Sequence, residues 1–165
     1  MEDFSGTFLL IDASPLISFL KLARFDLLEV LNAPLACTDF VRAEVQRPRE
    51  ALETLLASQK LQEIPLTDPA LLLEVEQLYG QGLGRGEASS IVLAQQQGYG
   101  LIIDDKKARK EASKRQIILH STAEIVVQNI QMGNLTLSEA DGFIVTWRSL
   151  AEFPVSCRTF KDLMG

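Results

Sequence analysis

Two short apolar runs, each cut off by aspartate, set the tightest limit on what this chain can fold into. Phe8-Leu9-Leu10-Ile11 ends at Asp12, and Leu101-Ile102-Ile103 ends at Asp104-Asp105. Continuous apolar runs of this length predict strands buried on both faces. A helical pattern follows each one. Ser14-Pro15 reads as an N-cap followed by proline in the first turn, with Leu16, Ile17, Phe19 and Leu20 facing inward. Lys106 to Arg115 reads as the helix after the second run. Strands joined through helices predict parallel βαβ units and a doubly wound α/β sheet.

The rest of the chain repeats this alternation. An amphipathic segment carrying Phe25, Leu27, Leu28, Val30 and Leu31 precedes a short strand at Leu35-Ala36-Cys37. Thr38 or Asp39 caps a helix bearing Phe40, Val41, Glu44 and Val45. Helical periodicity resumes over Glu50–Ala57, and Leu61–Ile64 reads as an edge strand. Asp68-Pro69 opens another helix, with Leu71, Leu72, Val75 and Leu78 facing inward. Glycines at 80, 82, 84 and 86 predict a flexible loop, with a helix from Glu87 that Gly98 closes. Ile117–Leu119 predicts a further strand. Ser121 and Glu124 have capping-box spacing for a helix from Ala123 to about Met132, stopped by Gly133. A last long helix centres on Phe143, Ile144, Trp147 and Leu150. No repeat or linker interrupts the pattern, so residues 1–165 are expected to form a single domain.

Composition narrows the class. The chain is 47% hydrophobic and 23% charged, which suits a globular core and argues against disorder. No apolar stretch approaches the roughly 18 residues of a membrane span, and the N-terminus lacks a basic region before its apolar run. A cytoplasmic protein without membrane contact is expected. Two cysteines, Cys37 and Cys157, have no metal-binding spacing, and His120 is the only histidine. A zinc site or a Ser-His-Asp triad would rest on that one residue. The net charge of −6 disfavours coating nucleic acid through overall charge, so any such binding needs a local basic patch.

In an open parallel sheet the ligand crevice lies beyond the carboxyl ends of the strands, where strand order reverses. Asp12 and Asp104 would both project into it. A carboxylate in that setting needs a partner, a proton or a metal to offset its desolvation. Glu87 adds a third acid at a helix N-terminus, where the macrodipole favours negative charge. Glu44, on the helix after the second strand, reads as a further acid beside Val41 and Val45.

Taken together, Ile11-Asp12-Ala13-Ser14-Pro15-Leu16-Ile17, Val41-Arg42-Ala43-Glu44-Val45, Gly86-Glu87-Ala88-Ser89-Ser90-Ile91 and Ile103-Asp104-Asp105-Lys106-Lys107-Ala108-Arg109 resemble the successive acidic motifs of PIN domains. More narrowly, they resemble the prokaryotic branch related to the toxins of toxin–antitoxin pairs. The similarity covers nearly the whole chain, including Phe153-Pro154-Val155-Ser156 before a last short helix.

This resemblance implies a three-layer α/β/α fold with a central parallel sheet of about five short strands. It implies a metal-dependent endoribonuclease that hydrolyses RNA phosphodiesters with water activated by Mg²⁺ or Mn²⁺. Asp12, Glu44, Glu87 and an Asp after the fourth strand would be the catalytic metal ligands. Many PIN domains end that strand in a Thr-x-Asp-like sequence, whereas here Asp104 and Asp105 are consecutive. Both therefore stand as candidates, Asp104 favoured because neighbours at a strand end point in opposite directions. Ser14, Lys106, Lys107 and Lys110 are expected to contact substrate. The basic stretch from Lys106 to Arg115 holds six of the chain's 16 Lys and Arg residues. Implied partners are single-stranded or structured RNA, a small antitoxin-like protein and a second copy of the chain.

Three other readings are weaker. No Gly-Lys-Ser/Thr follows the glycines, as a phosphate loop requires. Ser14 stands where a haloacid-dehalogenase-like phosphatase has its second aspartate. A receiver domain would carry its acidic pair near the first strand. The competing reading is a PIN-fold module that binds RNA or protein without cleaving.

Overall fold

The computed structural model describes residues 8–164. Five short strands form one sheet: β1 (Leu9–Ile11), β2 (Leu35–Thr38), β3 (Gln62–Ile64), β4 (Gly100–Ile102) and β5 (Leu119–His120). Every pairing is parallel and the order is β3-β2-β1-β4-β5. β3 takes the edge position expected of it. The chain builds outward from β1 in both directions, so strand order reverses between β1 and β4.

The three central strands β2, β1 and β4 are largely buried on both faces, as their apolar sequences require, while the edge strands β3 and β5 are partly exposed. Leu9 and Ile11 of β1 and Ile102 of β4 enter the core on one face. Leu10, Ala36, Leu101 and Ile103 enter the core on the other. The first face is covered by α1 (Ala13–Lys21), α7 (Thr122–Gln131) and α8 (Leu137–Ser149), with Phe19, Ile125, Ile144 and Trp147 as its filling. The second is covered by α4 (Pro69–Gly80), α5 (Arg85–Gln97) and α6 (Lys106–Lys114), through Val75, Leu78, Ile91, Ala108 and Ala112. Two further helices, α2 (Asp39–Glu44) and α3 (Arg49–Ala57), follow β2. The result is the three-layer α/β/α arrangement expected of the sequence.

C-terminal to the sheet, α8 belongs to the same core. The Trp147 indole donates to the Ser18 carbonyl on α1 at 2.9 Å, and Phe160 is fully buried ahead of α9 (Lys161–Met164). Phe160 is fixed further by Asp141, whose carboxylate accepts its amide at 2.8 Å.

Local chemistry departs from the sequence reading in four places. α1 begins at Ala13, so Asp12 and not Ser14 holds the N-cap position, and Ser14 is an exposed second residue of the helix. The glycine-rich loop is shorter than expected: Gly80 ends α4, Gly84 caps α5, and Gly86 lies inside its first turn. A buried face on both sides of the turn extends the helices into it, against glycine's low propensity. The Phe25–Leu31 segment is a 3-10 helix, and β5 lies two residues beyond the start of its expected span. The other caps hold: Thr38 accepts from the Val41 amide, Asp68 from Ala70 and Ser121 from Glu124.

Candidate active site

The strand reversal between β1 and β4 places Asp12 and Asp104 on one rim of the sheet. Ile11 pairs with Ile102, and the Asp12 amide continues the ladder by donating to the Ile102 carbonyl at 3.0 Å. Asp12 is only 3% exposed, and its Oδ1 is buried with no hydrogen-bond partner among the described residues. It occupies the N-cap position of α1 without its side chain capping the helix. Burial, reinforced by Glu87, Glu44 and Asp104, pushes this carboxyl up to about 8, against the opposing pull of the Ala13 amide. A buried acid oxygen left without a donor is costly, and a proton or a cation would relieve it.

Each surrounding acid is anchored by a local donor. Asp104, just past β4, accepts from the Thr122 amide at 2.8 Å and the Thr122 hydroxyl at 2.6 Å. Burial still raises its pKa, despite both Thr122 donors and the nearby Arg109 guanidinium. Asp105 is exposed and caps α6, accepting the Ala108 amide at 2.9 Å. The consecutive aspartates thus point to different structural tasks, as alternation at a strand end demands. Arg109 closes the rim by donating to the Ile103 carbonyl at 2.6 Å and the His120 carbonyl at 3.2 Å. His120 itself ends β5.

Glu87 lies in the first turn of α5, its Oε2 3.4 Å from the Gly84 amide. Burial raises its pKa, followed by the charges of Asp105 and Glu44, while the Gly84 amide and Lys107 oppose them. Glu44 ends α2 and accepts the Gly86 amide at 2.9 Å. The same two helices are joined at a second point. Ser89 donates to the Gly86 carbonyl at 2.7 Å, which leaves its oxygen to accept the Thr38 hydroxyl at 2.7 Å. Thr38 in turn accepts the Val41 amide at 3.1 Å. Every hydroxyl in this buried chain has one donor role and one acceptor role, so its direction is fixed.

The structure therefore brings Glu44, Glu87 and Asp104 within electrostatic reach of Asp12, and Asp105 and Glu44 within reach of Glu87, at the carboxyl end of the sheet. As placed, no three of the His, Cys, Asp and Glu side chains among the described residues form a group that could hold a metal ion. Glu44, Glu87, Asp104 and Asp105 are each turned toward a backbone amide. The donor set is nonetheless all carboxylate oxygen, which suits a hard divalent cation, and Asp12 Oδ1 is a buried carboxylate oxygen without a partner among the described residues. The residues fit such an ion in chemistry. Of the expected substrate contacts, Ser14, Lys106 and Lys110 are exposed, while Lys107 donates to the Gln81 carbonyl at 2.7 Å. Cys37 is buried and its thiol is pushed up to about 12, which makes it inert as a nucleophile.

Three contacts are not legible in the sequence: Thr122 with Asp104, Gly86 with Glu44, and Thr38 with Ser89. Thr122 was hidden behind Ser121, whose cap signal accounted for the segment. Gly86 reads both as a loop glycine and as the first residue of the third acidic motif, and neither reading shows that its amide meets Glu44.

A five-stranded parallel sheet covered by helices on both faces, with acids following β1 and β4, defines a doubly wound α/β protein. The family model described as a PIN domain matches residues 8–146, and the chain belongs to that family. The Phe153–Ser156 stretch lies beyond the matched residues. No curated protein matches the chain. PIN domains are of nuclease type and bind nucleic acid. Among the described residues no helix is long and apolar enough to cross a membrane.

Proposed function

We propose that the protein is a metal-dependent endoribonuclease acting on single-stranded or structured RNA. The observation that carries this reading is the unpartnered, buried Oδ1 of Asp12, with Glu44, Glu87 and Asp104 around it. In this reading Asp12, Glu44, Glu87 and Asp104 hold Mg²⁺ or Mn²⁺, with Asp105 beside Glu87 as a further ligand. When bound, the cation supplies positive charge to the scissile phosphate and makes a water acidic enough to attack near neutral pH.

The chain's own residues set up that chemistry. Asp12 would have to give up the proton its burial favours in order to hold the cation, since a metal ligand must be deprotonated. Thr122 holds both Asp104 oxygens, and Gly86 holds Glu44. Ser14, Lys106, Lys107 and Lys110 meet the phosphate backbone from the rim. We further propose a single functional unit spanning the whole chain, C-terminal helices included, and a cytoplasmic setting. The resemblance to toxin–antitoxin toxins extends the proposal to a small restraining partner protein and to a homodimer.

The test is cleavage of a fluorescent single-stranded RNA with Mn²⁺ or Mg²⁺ and with EDTA. Wild type is expected to cut internally only with metal, and Glu87→Gln to lose most activity while remaining folded. Glu29→Gln, an exposed acid away from the crevice, is the control purified in parallel. Equal cleavage by wild type and Glu87→Gln, or binding without any cleavage, would make the non-catalytic binding module the better reading.

A further inference from the structure

A second feature lies beside the acidic crevice and is built from cations. Lys107, Lys110 and Lys114 line one cavity of about 250 Å³ between α6 and the Gln81–Gly84 turn, with Gln81, Leu83 and Glu111. Their spacing puts all three on one helix face, while Ala108 and Ala112 bury the other. None of the three has an ion-pair partner among the described residues. The one acid in the wall is already engaged, because Glu111 pairs with Arg115 at 3.1 Å.

Local helix chemistry accounts for Lys114, which lies in the last turn of α6 where the macrodipole favours a cation, but not for Lys107. Lys107 occupies the first turn of α6, at the positive end of the macrodipole, with the N-cap Asp105 and the nearby Glu87 on its crevice side. Cations are disfavoured there, and converging ammonium groups repel one another as well. An anion between them reverses both effects. The turn that forms the opposite wall is shared with the acidic crevice: Lys107 Nζ donates to the Gln81 carbonyl at 2.7 Å, and Glu87 reaches the Gly84 amide three residues on at 3.4 Å.

We propose that this cavity is a phosphate subsite that holds the RNA backbone flanking the acidic crevice, with Lys107, Lys110 and Lys114 as its cationic wall. It rests on the ribonuclease reading for the identity of the polymer, and it assigns Lys114, which that reading leaves unused. It also gives the substrate a path: from the acids at the strand reversal, past Glu87, and along α6 toward its C-terminus. Lys107 grips the turn as well as the phosphate, so Lys110 and Lys114 are the residues to test.

The experiment measures binding of a fluorescein-labelled oligouridylate in EDTA across a series of KCl concentrations, which separates it from cleavage. Each phosphate contact to a single strand contributes about 0.7 to the slope of log affinity against log salt. Lys110→Gln with Lys114→Gln is expected to flatten that slope by about 1.4. The exposed pair Lys60→Gln with Lys161→Gln should leave it unchanged. A flattened slope without metal-dependent cleavage would support the subsite and remove the nuclease reading. An unchanged slope, an equal loss in the control pair, or no oligonucleotide binding by wild type would overturn the subsite. Inorganic phosphate competing as well as the oligonucleotide, at equal phosphate concentration, would overturn its assignment to a polymer.

Discussion

The Glu44 carboxylate accepts the Gly86 amide at 2.9 Å, joining the last residue of α2 to the first turn of α5. A side chain at position 86 would have no room: its Cβ would lie 2.7 Å from Glu44 Cδ. The obstruction is the far end of a flexible side chain, so Gly86→Ala displaces Glu44 rather than the backbone. Alanine also favours the helix by about 0.8–1 kcal/mol relative to glycine. Thermal melting of Gly86→Ala should be close to or above wild type, while its Mn²⁺ affinity falls. Lower stability with unchanged metal affinity would remove Glu44 from the ligand set.

The pH dependence of stability in EDTA should carry the signature of Asp12. Its folded pKa, about 8, exceeds its ordinary value of 3.8. The folded state therefore holds a proton that the unfolded state releases. The resulting stabilisation is complete below the ordinary value and is lost as pH rises through the folded one. Each unit of displacement corresponds to about 1.4 kcal/mol. Glu87 and Asp104 are also raised and act in the same direction. Urea unfolding should show stability falling from pH 5 toward pH 9, with Asp12→Asn shallower in slope. A rise over that interval in both proteins would show that Asp12 is not held protonated.

Mg²⁺ or Mn²⁺ should raise the melting temperature, because a ligand that binds only the folded state adds about 2.7 kcal/mol at a hundredfold excess over Kd. Calorimetry in buffers of different ionisation enthalpy should detect proton release below pH 8, where Asp12 gives up its proton. Asp12→Asn should abolish that release and blunt the thermal shift. A full shift in the variant would exclude Asp12 as a ligand.

Thr122 is expected to act through Asp104. Thr122→Val keeps the amide contact at 2.8 Å and removes the hydroxyl contact at 2.6 Å. Groups that orient a metal ligand typically contribute about 10–100-fold in affinity, so Mn²⁺ binding should weaken by at least tenfold. Thr122→Ser should restore it. If the valine and serine variants bind metal alike, the hydroxyl serves only the start of α7.

Breaking the Thr38–Ser89 contact should disturb the joint between α2 and α5. Ser89→Ala leaves the buried Thr38 hydroxyl without its acceptor, while the Gly86 carbonyl keeps the Ser90 hydroxyl at 3.0 Å, a cost of about 1–3 kcal/mol in urea unfolding. The loss should couple to Glu44: the double variant with Glu44→Gln should lose less metal affinity than the two single losses combined. Strict additivity would make the hydroxyl chain structural alone.

Much of this protein was legible in its linear pattern. The apolar runs at Leu9–Ile11 and Leu101–Ile103 specified buried parallel strands, and Asp68-Pro69 and Ser121–Glu124 announced their helices through short-range capping chemistry. The acids after the strands marked the crevice for the same reason: an apolar run that stops at a carboxylate leaves it at the sheet's rim. What tertiary structure alone decided were relationships across long separations. Gly86 meets Glu44 only because α5 packs on α2, and Thr122 reaches Asp104 only because α7 starts where β5 ends. Asp12 is costly to bury only because α1 and the neighbouring acids close over it. Lys110 and Lys114 look like a solvated helix face in the sequence, and become a cavity wall once the Gln81–Gly84 turn stands opposite them. Local propensity acts over a few residues, whereas burial and electrostatic fields depend on what the folded chain brings near.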